Sequence, residues 1–291
     1  MQQGSYFLNF IKVNLKFTKK FRKAVNIMNE YDVILANPAG NITAIVLNED
    51  VKKENYIEIS NKLMELKQYN IEQVGFVKKP LMGGYSRLEM MGGEFCGNAT
   101  RSFGLYLAKL KGEFDDAKTE VEVSGCSDLL IVETNLKNKY AKTQMPIPLN
   151  ILEITLSDGK KINVVEFEGI FHAICEENLN DNLYDSIKEV IYEKYNPEAI
   201  GVMFLNKDGI EITPIVYVKE TNSKVFEQSC GSGSIAASVY LSKDNNDGIY
   251  TYNIKNPGGI IEVILHKLNG KFIIAFMGGT VELSEIIKII L

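Results

Sequence analysis

Apolar and polar positions along the chain switch repeatedly between short strand-like runs and helix-like stretches. From Tyr31 onward, residues 42–47 predict a strand, residues near 52–68 a helical segment, and residues 73–77 a second strand. Next comes Gly92-Gly93-Glu94-Phe95-Cys96-Gly97-Asn98-Ala99-Thr100, which leads into a helix-like stretch at 103–110. Residues 120–123 begin another strand, broken by Ser124-Gly125.

The second half runs in the same order. Strands are predicted at 164–167 and 173–175, a helix near 183–194, and strands at 201–205 and 212–218. Then Glu227-Gln228-Ser229-Cys230-Gly231-Ser232-Gly233-Ser234 opens a helix over 235–241, and a strand at 250–254 leads into Asn256-Pro257-Gly258-Gly259. The offsets agree: Cys96 to Cys230 is 134 residues, Gly125 to Gly258 is 133, and Gly75 to Gly201 is 126. Duplication in this register predicts an α+β protein of two like-folded domains related by a pseudo-twofold, with the active site in the cleft between them. The boundaries expected are 28–148 and 149–291, with a linker at 144–150 carrying Pro146 and Pro148.

Composition narrows the function classes. A chain of 291 residues with 45% hydrophobic and 24% charged residues is ordinary globular material, and no apolar run is long enough to span a bilayer. The net charge of −5 hides an asymmetry, because residues 1–27 carry six basic side chains and no acid, which leaves −11 for the remainder. An acidic body disfavours nucleic acid as a partner. Residues 1–27 lack the form of a signal peptide and read as an N-terminal appendage, because Met28 stands immediately before the first recognisable strand. Four cysteines without close pairing suit free thiols in a reducing, cytoplasmic setting, and no finger-like spacing joins them to His172 or His266, so no metal is expected. His266 falls near an expected turn and receives no role.

Each Cys-Gly pair sits where a glycine-containing turn feeds a helix. The free N–H groups and positive dipole end at such a start favour a thiolate and cradle a carboxylate. One thiolate that abstracts an α-proton and one thiol that delivers from the opposite face would invert an amino acid without pyridoxal phosphate or metal, so no cofactor is expected. Cys126 and Cys175 read as small buried hydrophobes. Glu227, three residues before Cys230, and Glu72 are candidates to accept a side-chain N–H, with Gln73 beside Glu72 in the same pocket-lining set. His172 could line that pocket or be structural.

The Cys96-Gly97-Asn98-Ala99 and Cys230-Gly231-Ser232-Gly233 motifs, with Gly40-Asn41, resemble the diaminopimelate epimerase-fold two-cysteine racemases. Asn37-Pro38-Ala39-Gly40-Asn41, Glu72-Gln73-Val74-Gly75-Phe76, Val123-Ser124-Gly125, Gln144-Met145-Pro146 and Asn256-Pro257-Gly258-Gly259 are similar to the cofactor-independent histidine racemases within that superfamily, of the metallophore-supplying type. The resemblance implies that Cys96 and Cys230 are the acid/base pair, that Gly97, Asn98, Gly231 and Ser232 bind the carboxylate, and that Asn41 lines the pocket. The epimerases carry Glu-Arg where this chain has Thr221-Asn222, and their Asn-Pro-His becomes Ile170-Phe171-His172. Their long asparagine motif before the first cysteine is shortened to residues 91–95. Diaminopimelate is therefore disfavoured. The expectation is a histidine racemase acting on a small amino acid, with no membrane partner and a homodimer as the oligomer to test. A racemase or epimerase of another amino acid, or a non-catalytic thiol or ligand-binding protein on the same scaffold, are the alternatives.

Overall fold

The computed structural model describes residues 29–219 and 222–291. The segment 1–27, expected as an appendage, and Thr221 lie outside the described residues. The architecture is α+β and mostly sheet. In the first half the order is β1 (Glu30–Asn37), β2 (Thr43–Val46), α1 (Tyr56–Met64), β3 (Gln73–Lys78), β4 (Ser86–Met90), α2 (Gly97–Lys111), β5 (Asp116–Val123), β6 (Leu130–Asn135) and β7 (Tyr140–Met145). Then follow β8 (Asn150–Thr155), β9 (Lys161–Phe167), β10 (Ile170–Cys175), α3 (Asp181–Tyr195), β11 (Ala199–Asn206), β12 (Glu211–Val218), β13 (Ser223–Phe226) and α4 (Gly231–Ser242). The chain ends with β14 (Gly248–Asn256), β15 (Gly259–Leu268), β16 (Lys271–Thr280), β17 (Glu282–Leu283) and β18 (Ile287–Ile290).

Strand pairing repeats as the spacing of the motifs does. In the first half β1–β2 is antiparallel, β2–β3 parallel, β3–β4 antiparallel and β4–β5 parallel, and β5, β6 and β7 form an antiparallel meander. In the second, β9–β10 is antiparallel, β10–β11 parallel, β11–β12 antiparallel and β12–β14 parallel, and β14, β15 and β16 form the meander. Each parallel step spans a helix, as a parallel connection requires. The halves join where β7 runs antiparallel to β16, from Ala275 opposite Met145 to Thr280 opposite Tyr140. The last strand, β18, returns to pair with β1, and β8 pairs with β9.

Each helix covers its own apolar cluster. Phe103, Leu105 and Leu107 of α2 pack with Leu88, Met90, Val121 and Val132, whereas Ile235, Ala236 and Val239 of α4 pack with Met203, Val263 and Met277. α2 ends at Gly112, whose φ of +73° is the left-handed stop that glycine supplies without steric cost. α3 starts at Asn180, whose side chain accepts from the N–H groups of Asn182 and Leu183. No helix among the described residues is long and apolar enough to cross a membrane.

One expectation needs correction. The linker is shorter than 144–150, because Gln144 and Met145 complete β7 and Asn150 begins β8; only 146–149 is free of strand. His266 lies near the end of β15, three residues before the turn at 269–270 as expected, next to a register shift between His266 and Lys267. The linker bounds differ from expectation because strand ends depend on the partner strand, which local sequence does not reveal.

Candidate active site

The two helix starts meet over the β7–β16 seam. A Cβ placed on Gly97 would come within 2.5 Å of both the Met145 and the Met277 sulfur, and one on Gly231 within 2.8 Å of the Met277 sulfur. Glycine at the first helical position lets both backbones close onto the same pair of methionines, one from each half. Cys96 and Cys230 are the residues immediately before those glycines, both in extended conformation, so each is the N-cap of its helix.

Long-range loops fix the approach to each cysteine. Ser124 Oγ accepts from the Met90 N–H (2.8 Å) and donates to the Glu94 carbonyl (2.8 Å), tying the loop before Cys96 to β4 and β5. Gly125 sits at φ +70°, and a Cβ there would fall 2.3 Å from the Phe95 nitrogen, so only glycine fits. On the other side, Asn256 Oδ1 accepts from the Cys230 N–H (3.1 Å) and its amide donates to Ser234 Oγ (3.1 Å). The 37–41 and 256–259 loops touch at Gly40 and Gly258, where a Cβ on Gly40 would fall 2.6 Å from the Gly258 Cα.

The two thiols have different neighbours. Cys96 is half-buried. Its sulfur accepts from the Ala99 N–H (3.5 Å), and its thiol donates to Gln73 Oε1 (3.2 Å). Gln73 is oriented from behind, because its amide N–H donates to Thr43 Oγ1 at 2.7 Å. Cys230 is 4% exposed, lies within electrostatic reach of the Glu227 carboxyl, and is 3.9 Å from Ser232 Oγ. Burial pushes the Cys96 thiol up to about 11, with the Ala99 N–H and Gln73 opposing the rise. Burial and then Glu227 push the Cys230 thiol well above its ordinary value. The helix starts therefore oppose but do not overcome desolvation, and thiolate is not favoured as the motif alone implied.

Glu227 is held up to about 7, by burial first and by the Glu72 charge. Glu72 is itself raised by burial of its carboxyl. The two glutamates expected on the side-chain end thus sit within electrostatic reach of each other. His172 is 0% exposed and pushed down to about 3 by burial, so it is neutral; its Nε2 is 2.8 Å from Ser232 Oγ, which puts it behind Ser232. Asn98 is buried and donates to the Ser229 carbonyl (3.2 Å) and Oγ (3.3 Å), joining one helix start to the other. Asn41 Nδ2 reaches the same carbonyl at 3.4 Å, and its buried Oδ1 has no partner among the described residues.

Asn222 is remote from this cluster: it is a left-handed turn residue at φ +49° whose Oδ1 accepts from the Tyr217 hydroxyl. Cys175 is buried against α3, and Cys126 lies beside the first-half cluster. Among the described residues no group of three His, Cys, Asp or Glu is arranged to hold a metal. Thr43, Ser229, Asn256 and Arg101 were not assigned roles from sequence; the only signals were that Ser229 stands in the motif around Cys230 and Asn256 in a motif that carries the family resemblance.

Comparison with known proteins adds to this geometry. The family model described as "Histidine racemase CntK N-terminal domain" matches residues 30–285. A histidine racemase of Fusobacterium nucleatum subsp. nucleatum is 38% identical over 247 residues, 81% of this chain and 90% of that one. A histidine racemase of Staphylococcus aureus is 29% identical over 237 residues, 78% of this chain and 85% of that one. In fold, the chain is similar to a hydroxyproline epimerase from Agrobacterium vitis solved with trans-4-hydroxy-L-proline, with a TM-score of 0.62, 12% identity, and coverage of 90% of this chain and 91% of that one.

Proposed function

The chain belongs to the histidine racemase family, and we propose that it interconverts L- and D-histidine by moving the α-proton between Cys96 and Cys230. It is an amino-acid racemase, hence an isomerase, with a small amino acid as substrate. The observation that carries the mechanism is the meeting of two cysteine-capped helix starts over one methionine pair. In this reading the two repeated pairing patterns are pseudo-twofold-related domains of diaminopimelate epimerase-like fold, and substrate lies between them.

The substrate carboxylate sits on the N–H groups of Gly97, Asn98, Gly231 and Ser232, where both helix dipoles stabilise the second negative charge that develops as the α-proton leaves. Asn41 Oδ1, buried and without a partner among the described residues, is the acceptor for the α-ammonium. Glu72 and Glu227 face the imidazole: a raised carboxyl pair accepts a ring N–H without the arginine that a distal carboxylate would need. His172, bonded to Ser232, orients that hydroxyl rather than meeting substrate. For each turnover one sulfur takes the proton from one face while the other S–H donates to the opposite face, so the sulfurs exchange protonation states.

The test is racemisation of L-histidine in D₂O without added cofactor, followed by chiral chromatography and mass spectrometry. Deuterium should enter the D-product before it enters recovered L-substrate. Cys96→Ser and Cys230→Ser should each lower kcat/KM by at least about 10³-fold, because a hydroxyl is too weak a base near neutral pH. Cys126→Ser and Cys175→Ser should stay within a few-fold of wild type. Early label in both enantiomers alike, or full activity in either active-site variant, would sink the two-base reading; turnover of another amino acid in preference would sink the substrate.

A further inference from the structure

Arg101 is the largest fully buried side chain among the described residues, 0% exposed, on the second turn of α2. Every hydrogen-bond acceptor it meets there is neutral. Nε and Nη2 both donate to Asn98 Oδ1, at 3.2 and 3.1 Å, and Nη1 donates to the carbonyls of Gly279 (3.0 Å) and Thr280 (3.2 Å) at the end of β16. The ionisable groups that face it are the Cys96 thiol and the Tyr140 phenol, with Glu262 behind Tyr140 as its hydrogen-bond partner. A buried guanidinium without a bound carboxylate is costly, several kcal/mol after relaxation. A positive charge kept there at that cost is matched when an anion arrives at the helix start one turn away. The corresponding position of α4, five residues after Cys230, is the buried apolar Ile235, so the cation serves one helix start alone.

We propose that Arg101 is a positioning residue for the reaction: its fork holds Asn98 so that the amide spans to Ser229, and its unpaired charge stabilises negative charge at Cys96 and at the substrate carboxylate beside it. This rests on the reading of Cys96 as one of the two bases. The consequence is an inequality between the two thiols. Cys96 lies just over one helical turn before the Arg101 guanidinium, within its electrostatic reach, and is bonded to a neutral amide, with the Glu94 and Glu227 charges opposing. Cys230 has the Glu227 carboxyl beside it and, five residues on in its own helix, the apolar Ile235 in place of an arginine. Cys96 is therefore the more acidic thiol, and the Asn98–Ser229 bridge holds the two starts in register even before substrate binds.

The experiment reads thiol titration separately from turnover. The pH dependence of iodoacetamide alkylation is followed for each cysteine by peptide mass spectrometry in the full-length wild type, Arg101→Gln and Arg101→Lys. In the wild type the Cys96 midpoint should lie below that of Cys230. In Arg101→Gln the Cys96 midpoint should rise by about one pH unit while that of Cys230 moves less, and kcat/KM for histidine should fall about 100-fold with most of the loss in kcat. Arg101→Lys keeps the charge and loses the fork, so the Cys96 midpoint should return toward wild type while part of the kcat loss remains. A wild-type Cys96 midpoint at or above that of Cys230, or one unmoved in Arg101→Gln, overturns the proposal. Should Arg101→Gln not fold, the wild-type order and Arg101→Lys decide, and a Cys96 midpoint displaced in Arg101→Lys as far as one unit counts against the charge. Since alkylation needs no substrate, failure here is distinct from failure of the racemase reading, which the cysteine variants test.

Discussion

A carboxyl desolvated like that of Glu227, beside Glu72 and Cys230, keeps its proton up to about pH 7. The folded protein therefore holds a proton that the unfolded chain releases from 4.5 upward. For an acid whose folded-state pKa is raised, stability is full below the unfolded value and declines as pH rises toward the folded one. Glu227→Gln is neutral at every pH and should escape that decline. Near pH 4.5 its melting temperature should match wild type; at pH 8 it should be more stable by about 3 kcal/mol, several degrees for a chain of this size. Its turnover should fall, because Cys230 loses the carboxyl beside it. Thermal melts at the two pH values check the sign: equal differences at both, or a destabilised variant at pH 8, would mean that the carboxyl is not strained in the fold. At this scale both cysteines were legible in the sequence, because a Cys-Gly at one place in each of two repeats is a local pattern. Arg101 and Asn256 were not, since their importance lies in partners 178 and 26 residues away.

α4 is unusual in being buried nearly all round. It is possible because Ser234, Ser238 and Ser242 each donate a hydroxyl to the carbonyl four residues earlier, which leaves small, satisfied surfaces on a helix of otherwise apolar residues. Its far end is closed by Lys267, 5% exposed, whose ammonium donates to the carbonyls of Ser242 (3.4 Å), Lys243 (2.6 Å) and Asn245 (2.7 Å). A cation at a helix C-terminus complements the dipole and supplies the last carbonyls with donors. Lys267→Met should therefore cost about 2–3 kcal/mol and lower the melting temperature, against less than about 0.5 kcal/mol for the exposed Lys271→Met. Turnover at 25 °C should stay within a few-fold, since Cys230 is at the opposite end of the helix. Equal melts for the two lysine variants would refute the capping role. Elements of this kind were legible where periodicity was strong: α2 and α4 follow their motifs, and β3, β11 and β12 are apolar runs of expected length. Helix starts were read several residues late, because Gly97-Asn98 and Gly231-Ser232 look like turn residues; Cys96 caps the first helix by accepting from the Ala99 N–H, whereas Cys230 occupies the cap position without a side-chain cap bond.

At the level of the whole molecule, the second half is not independent of the first. β8 follows the first meander yet pairs with β9, and β18 follows the second meander yet pairs with β1, so each half's opening strand is flanked by a strand that comes after a meander. Some strands of each half were readable from sequence, but β4, β6–β8, β13 and β15–β18 were not, and neither was this exchange, because a short apolar run such as Ile287–Ile290 carries no mark of which edge it will join. β1 leads directly into the loop that holds Asn41 and that touches Gly258, so the chain's last strand steadies the pocket wall nearest its first. Ile289, 6% exposed, packs with Val33, Tyr56 and Phe76, while its neighbour Ile290 is 57% exposed. Ile289→Ala should therefore cost about 2–4 kcal/mol and Ile290→Ala under about 0.5 kcal/mol. Because β7–β16 and β1–β18 both tie the halves together, urea unfolding of either variant should remain one cooperative transition, read alike by tyrosine fluorescence and far-ultraviolet circular dichroism. The loss in Ile289→Ala should also reach the site, lowering kcat/KM for histidine several-fold at urea concentrations where the Ile290→Ala protein is still fully active. Two separate transitions, or equal costs at the two isoleucines, would mean that β18 is an accessory edge and that the first half holds its pocket wall without it.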